Sequence, residues 1–154
     1  MLKEMTIAVL KTYIGHYDEA IAYYQLLLQS TPRNKYNLNN LGYTLILQEN
    51  YNEAIVHLNK AIAIDSRFAA PFVNRAFARM QTGLLEDGKK DNDYALLLQE
   101  KNSYAYRNKG FYEMKKGSYD AALESFSKAL ELDPDTRFVR QYVADIHEMI
   151  KGCA

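Results

Sequence analysis

Apolar residues recur along this chain at the spacing of one helix face. Ile55, Leu58 and Ile62 follow i, i+3, i+7, and Leu123, Phe126 and Leu130 repeat the pattern further on. Two kinds of break separate such runs. Gly15, Gly83 and Gly117 share one column with Glu49, and Asp18, Asn52, Glu86 and Asp120 stand three residues later. Those acids and amides suit a helix start, where the side chain accepts from a free backbone N–H or favours the positive helix end. The second break carries Pro32 and Pro134, with Ser66 and Glu100 in between. A proline just past a helical run stops it. All of these columns step by 34 residues. Each unit reads as two antiparallel helices of about 13 residues. The first helices are predicted near 2–14, 35–48, 69–82 and 103–116, the second near 18–31, 52–64, 86–99 and 120–132. A last helix near 136–150 turns Val139, Val143, Ile146 and Ile150 to one side and suits a lid on the final unit.

Small residues keep the same step. Ala8, Gly42, Ala76 and Gly110 form one column, and Ala20, Ala54, Gly88 and Ala122 another. Small side chains at a crossing let two helix axes approach closely. A period of this length signals an all-α solenoid, which works by offering a surface rather than by enclosing one pocket.

The phrases Gly15-His16-Tyr17-Asp18-Glu19-Ala20, Asn50-Tyr51-Asn52-Glu53-Ala54 and Gly117-Ser118-Tyr119-Asp120-Ala121-Ala122 resemble the mid-unit signature of tetratricopeptide (TPR) repeats. So do Leu38-x-x-Leu41-Gly42 and Lys128-Ala129-Leu130-Glu131-Leu132-Asp133-Pro134. The resemblance covers nearly the whole chain. It implies one domain over 1–154, an α-α right-handed superhelix with repeats 1–34, 35–68, 69–102 and 103–136 and a capping helix at 137–151. The family's first helices line a concave groove, its second helices form the convex wall, and the groove usually takes peptide segments of other proteins. The third repeat departs from the pattern with Gly88 and Asn92, and Arg75 and Lys109 stand in a column that holds Leu41. The third repeat is therefore expected to be the softest.

In this family the column Asn40, Asn74, Asn108 faces the groove. An amide offers donor and acceptor together, so a row of them can pair with an extended peptide backbone. Tyr36, Tyr43, Phe77, Tyr104, Arg107 and Phe111 are the further candidates for the groove lining, with Met80 and Met114 beyond them. Aromatic rings supply large contact area. The family's two-carboxylate clamp needs basic pairs that this chain lacks: Met5, Val9, Asn40, Ala70 and Asn74 stand at one possible register, Asn39, Tyr43, Asn74, Tyr104 and Asn108 at the other.

Formal net charge is zero, so bulk electrostatics favour neither nucleic acid nor an anionic membrane. Its distribution is uneven: about +7 on the first helices and about −6 on the second. That bias points to an acidic or mixed aromatic-acidic peptide partner. His16, His57 and His147 are isolated, no phosphate loop or nucleophile elbow occurs, and Asp91-Asn92-Asp93 lacks the glycine of a calcium loop. No cofactor, metal or catalysis is expected. No apolar run approaches the ~20 residues of a membrane helix, and Met1 to Lys11 has no cleavage site, so the expected setting is cytoplasmic. The single cysteine, Cys153, is compatible with a reducing compartment. The chain reads first as a non-catalytic scaffold. The alternatives are an appendage of a larger enzyme or sensor, and a structural protein that self-associates through its terminal repeats.

Overall fold

A computed structural model describes residues 2–152; Cys153 lies outside them. Among the described residues the chain forms α1 (Leu2–Tyr13), α2 (Tyr17–Ser30), α3 (Lys35–Leu47), α4 (Tyr51–Ile64), α5 (Ala69–Gln81), α6 (Leu85–Leu98), α7 (Ser103–Lys115), α8 (Tyr119–Leu132) and α9 (Val139–Gly152), with no strand. The bounds of the first eight lie within a residue or two of those expected.

The turn chemistry accounts for the hairpins. Gly15, Gly83 and Gly117 take φ of +85°, +87° and +78°, a left-handed conformation that glycine adopts without cost. Glu49 holds the same corner at φ +63° with a side chain in place. Asp18, Glu53, Glu86 and Asp120 sit in the first turns of the second helices. The residues just before those helices make no side-chain cap, so the acids act on the helix dipole rather than as caps. True caps occur between hairpins. Asn34 Oδ1 accepts from the Tyr36 and Asn37 N–H groups at 3.0 and 3.1 Å, and Asn102 Oδ1 accepts from Ala105 N–H at 3.1 Å.

Each helix packs on its successor, and α1 on α3, α3 on α5, α5 on α7 and α7 on α9. The second helices α2, α4, α6 and α8 make no such approach to one another. First helices crowded together and second helices splayed apart are what curvature means in a stack of hairpins. The trough therefore runs along α1, α3, α5 and α7. The small columns are buried at the crossings: Ala8, Ala20, Ala54, Ala76 and Ala122 are fully covered.

The two ends differ. Val139 and Ile146 of α9 are fully buried in a cluster with Phe111 and Phe126, so α9 closes the last hairpin. It starts three residues later than expected because Asp133–Phe138 form two successive turns. Ile150, expected on the packed side, is exposed. At the other end Leu10, Tyr13 and Ile14 are exposed. None of the helices among the described residues is long and apolar enough to cross a membrane, and no group of three or more His, Cys, Asp or Glu there could hold a metal.

Candidate functional site

The inner faces of α1, α3 and α7 meet the linker between α8 and α9 around a hollow of about 820 Å³. Val9 and Tyr13 come from α1, Asn40, Tyr43 and Leu47 from α3, Tyr104 from α7, and Asp133, Asp135 and Arg137 from the linker. A second hollow of about 280 Å³ holds Ala70, Val73 and Asn74 of α5. Tyr43 and Tyr104 border both.

The expected amides do not share one environment. Asn40 is half-buried at the wall of the large hollow and Asn74 half-buried at the smaller. They are linked, because Asn74 Nδ2 donates to Asn39 Oδ1 at 3.0 Å and Asn39 Nδ2 to Asn40 Oδ1 at 3.3 Å. Asn108 is instead fully buried. Its Nδ2 donates to the Val73 carbonyl at 2.8 Å, and its Oδ1 accepts from Arg107 Nη2 at 2.8 Å and Nε at 3.2 Å. With both acceptor sites filled, Asn108 fastens α7 to α5 and does not reach the trough surface, contrary to the expected row of three.

The aromatic candidates divide in the same way. Tyr43 and Tyr104 face the hollows, whereas Phe77 and Phe111 are buried beneath them with ring centroids 6.1 Å apart. Tyr36 lies elsewhere. It is 55% exposed and packs edge-on against Phe68 at 5.3 Å, beside Lys35 and Asp65 at the edge of the stack. Tyr36 is the column counterpart of Tyr104, but it packs on the Phe68 ring and borders neither of the two hollows.

Electrostatics correct the simple charge count. Several basic residues on or just after the first helices pair with acids on or just after the second: Lys11 with Glu19, Lys35 with Asp65, Arg75 and Arg79 with Asp91, and Lys116 with Glu86. Part of the surplus is thus neutralised across helix pairs. Arg107 and Arg137 have no carboxylate partner among the described residues. Arg107 is buried with its guanidinium 4.2 Å from the Phe77 ring centroid and 4.9 Å from that of Tyr104. Burial pushes its pKa down, and the tyrosines Tyr142, Tyr104 and Tyr43 oppose that. Arg137 stands over the large hollow; the Tyr17 hydroxyl beside it raises its pKa. Tyr43 is pushed up to about 12, first by burial and then by Tyr104, with Arg137 and Arg107 pulling the other way. The Tyr43 hydroxyl is therefore a neutral donor at any ordinary pH.

The linker residues Asp133, Asp135 and Arg137 belong to this site, and the sequence pattern did not indicate them. They fall in a seam between helices, where helical periodicity assigns no face.

Residues 5–34 and 103–136 match the tetratricopeptide repeat family, and residues 42–83 match a TPR repeat. The Hsp70-Hsp90 organizing protein of Triticum aestivum is 28% identical over 134 residues, which is 84% of this chain and 22% of that protein. The Hsp70-Hsp90 organizing protein 1 of Glycine max is 30% identical over 115 residues, 72% of this chain and 20% of that protein. The chain thus spans about a fifth of the length of these curated relatives. A thermophilic TPR protein of Thermus thermophilus superposes with a TM-score of 0.84 at 19% identity, covering 97% of this chain and 82% of its own. The first TPR of RPAP3, solved bound to the HSP90 peptide SRMEEVD, superposes with a TM-score of 0.62 at 21% identity, covering 76% and 93%.

Proposed function

Because the chain belongs to the tetratricopeptide repeat family, we propose that it is a non-catalytic interaction module that takes an extended, acidic peptide segment of a partner protein into its trough. The observation that carries this reading is the convergence of half-buried Asn40 and Asn74, Tyr43 and Tyr104, and Arg137, which has no carboxylate partner among the described residues, on adjoining hollows. The amides and hydroxyls suit a peptide backbone, and Arg137 suits an acidic side chain or a terminal carboxylate. Asn108, Phe77 and Phe111 then serve as the wall that holds these groups in place. The RPAP3 structure supports the reading in that a domain of this fold is bound to SRMEEVD, a peptide with three acidic residues. Here the accessible positive charge would come from Arg137 rather than from the clamp positions.

Magnitudes apportion the roles. A net hydrogen bond is worth roughly 0.5–1.5 kcal/mol, so two amides supply about 2 kcal/mol. Micromolar binding needs about 8 kcal/mol. Most of the affinity must therefore come from ring contacts and charge, with the amides fixing direction. Calorimetric titration of capped acidic, neutral and basic peptides at low and high salt tests this. The acidic peptide should bind best, weaken as salt rises, and lose roughly tenfold affinity with Asn40→Ala. Equal affinity across the three peptides would remove the acidic reading, and binding indifferent to Asn40→Ala would remove the trough.

A further inference from the structure

The protein's own linker sits in the trough. Arg137 lines the large hollow beside Tyr43 and Tyr104. It also lines, with Phe138, a neighbouring hollow of about 300 Å³ whose walls include Tyr17, Tyr51, Phe77 and Tyr142. Arg137 thus borders both spaces, and Phe138 lies beside it in the second. The Phe138 ring lies parallel to that of Phe77, with centroids 6.1 Å apart and planes 5° from parallel, and 6.3 Å from Tyr142. Phe77 belongs to the inner wall of the third hairpin, far in sequence from the linker. Phe138 adopts φ +68°, a conformation that is an outlier for a bulky residue. It is not buried for the sake of the core either, since 44% of it remains exposed. The neighbouring anchors hold without it. Val139 and Ile146 are fully buried, and Thr136 Oγ1 donates to the Asp133 carbonyl at 2.7 Å.

We propose that Phe138 is a built-in stand-in for an aromatic side chain of the partner, seated on the Phe77–Tyr142 shelf and displaced when the partner binds. The proposal rests on the trough reading above and deepens it: the partner segment carries an aromatic residue beside its acidic group. The chemistry of the occupant defines that of the competitor, because an aromatic face that accepts Phe138 in offset contact accepts another ring in the same way. The strained backbone makes the seat easy to vacate, while α9 keeps its own buried anchors.

The test uses the full chain, wild type and Phe138→Gly. Glycine accepts the positive φ, so the variant removes the ring and the strain together. Two capped probes, EDEFEDE and EDEAEDE, are titrated by calorimetry into each protein, with thermal melts to confirm folding. The expected result is that Phe138→Gly binds the phenylalanine peptide roughly tenfold tighter and the alanine peptide as wild type does. Equal gains for both peptides, or none for either, overturn the stand-in. Asn40→Ala separates the two readings. If it weakens both peptides while Phe138→Gly discriminates neither, the trough stands and the stand-in falls. If neither peptide binds wild type or Phe138→Gly, both readings fall.

Discussion

The second and third hairpins solve the same helix crossing with different chemistry. Where α3 and α4 carry Leu41, Leu45 and His57, the matching columns of α5 and α6 carry Arg75, Arg79 and Asp91. Asp91 is buried and accepts from Arg75 Nε and Nη2 at 2.8 and 2.7 Å and from Arg79 Nη1 at 2.8 Å. Arg75 Nη1 also reaches Asn59 Oδ1 on α4 at 2.6 Å. One column on, Leu58 is fully buried within its own hairpin, whereas Asn92 donates from Nδ2 to the Ala105 carbonyl of α7 at 3.0 Å. In these columns the second hairpin joins an apolar cluster shared with its neighbours, whereas the third is hydrogen-bonded to both of its own. A stack can therefore exchange volume for directed bonds at one unit, provided that each buried charge finds a partner.

Removing that partner should give the largest effect. Asp91→Ala leaves two arginines facing one another with little solvent, their side chains 14% and 25% exposed. A loss of about 3 kcal/mol is expected, the low end for a buried pair because both arginines touch water. His57→Ala in the same column should cost under about 1 kcal/mol, since no charge is stranded. Urea midpoints for the two variants decide the matter, and similar costs would erase the distinction between the hairpins.

A smaller contrast lies at the crossings. A Cβ on Gly88 would stand 2.7 Å from the Ala76 carbonyl oxygen and 2.6 Å from Met80 Cγ. A Cβ on Gly42 would meet only the Leu58 side chain, at 2.6 and 2.8 Å. Overpacking typically costs about 1–3 kcal/mol, and alanine returns about 1 kcal/mol of helix propensity at either site. Gly88→Ala should therefore destabilise by about 2 kcal/mol and Gly42→Ala by about 1, because a side chain can turn aside and a backbone carbonyl cannot. Melting curves that rank the two in the opposite order would show α5 and α6 to be the more yielding pair.

The architecture was legible because a 34-residue step repeats in many columns at once, and periodic burial survives local exceptions. The site was legible only in part. Asn40 and Asn74 face the trough, but Asn108 turns to Val73 because the carbonyl and Arg107 are within reach of a buried amide. The period fixes which helix face a residue occupies, not which neighbour claims its polar atoms. The same limit applies to charge. Arg75 and Arg79 count toward a basic wall in sequence, and only the packing of α6 shows both of them on Asp91. Gly88 and Asn92, the departures behind the expectation of a soft third repeat, both take part in the packing: one admits a close crossing, and the other donates to α7 while its Oδ1 is buried without a partner.

The smallest effect concerns His57, the counterpart of Asp91. Its side chain is 19% exposed, its Nδ1 is buried without a hydrogen-bond partner, and Glu53 stands 4.0 Å from its Nε2. Burial lowers its pKa first and Lys60 adds to that, while Glu53 opposes both. The folded chain thus takes up this proton less readily than the unfolded chain. By linkage, the contribution of His57 is fully present above the ordinary histidine pKa of about 6.5 and is lost as pH falls through the lower folded value. Urea midpoints of wild type should fall between about pH 7.5 and about pH 5, and His57→Gln should flatten that fall. Asp91→Ala should leave the slope in place while lowering the whole curve, which would separate a neutral column in the second hairpin from a charged one in the third. A His57→Gln curve that falls as steeply as wild type would assign the slope to other groups and leave the two columns indistinguishable by acid.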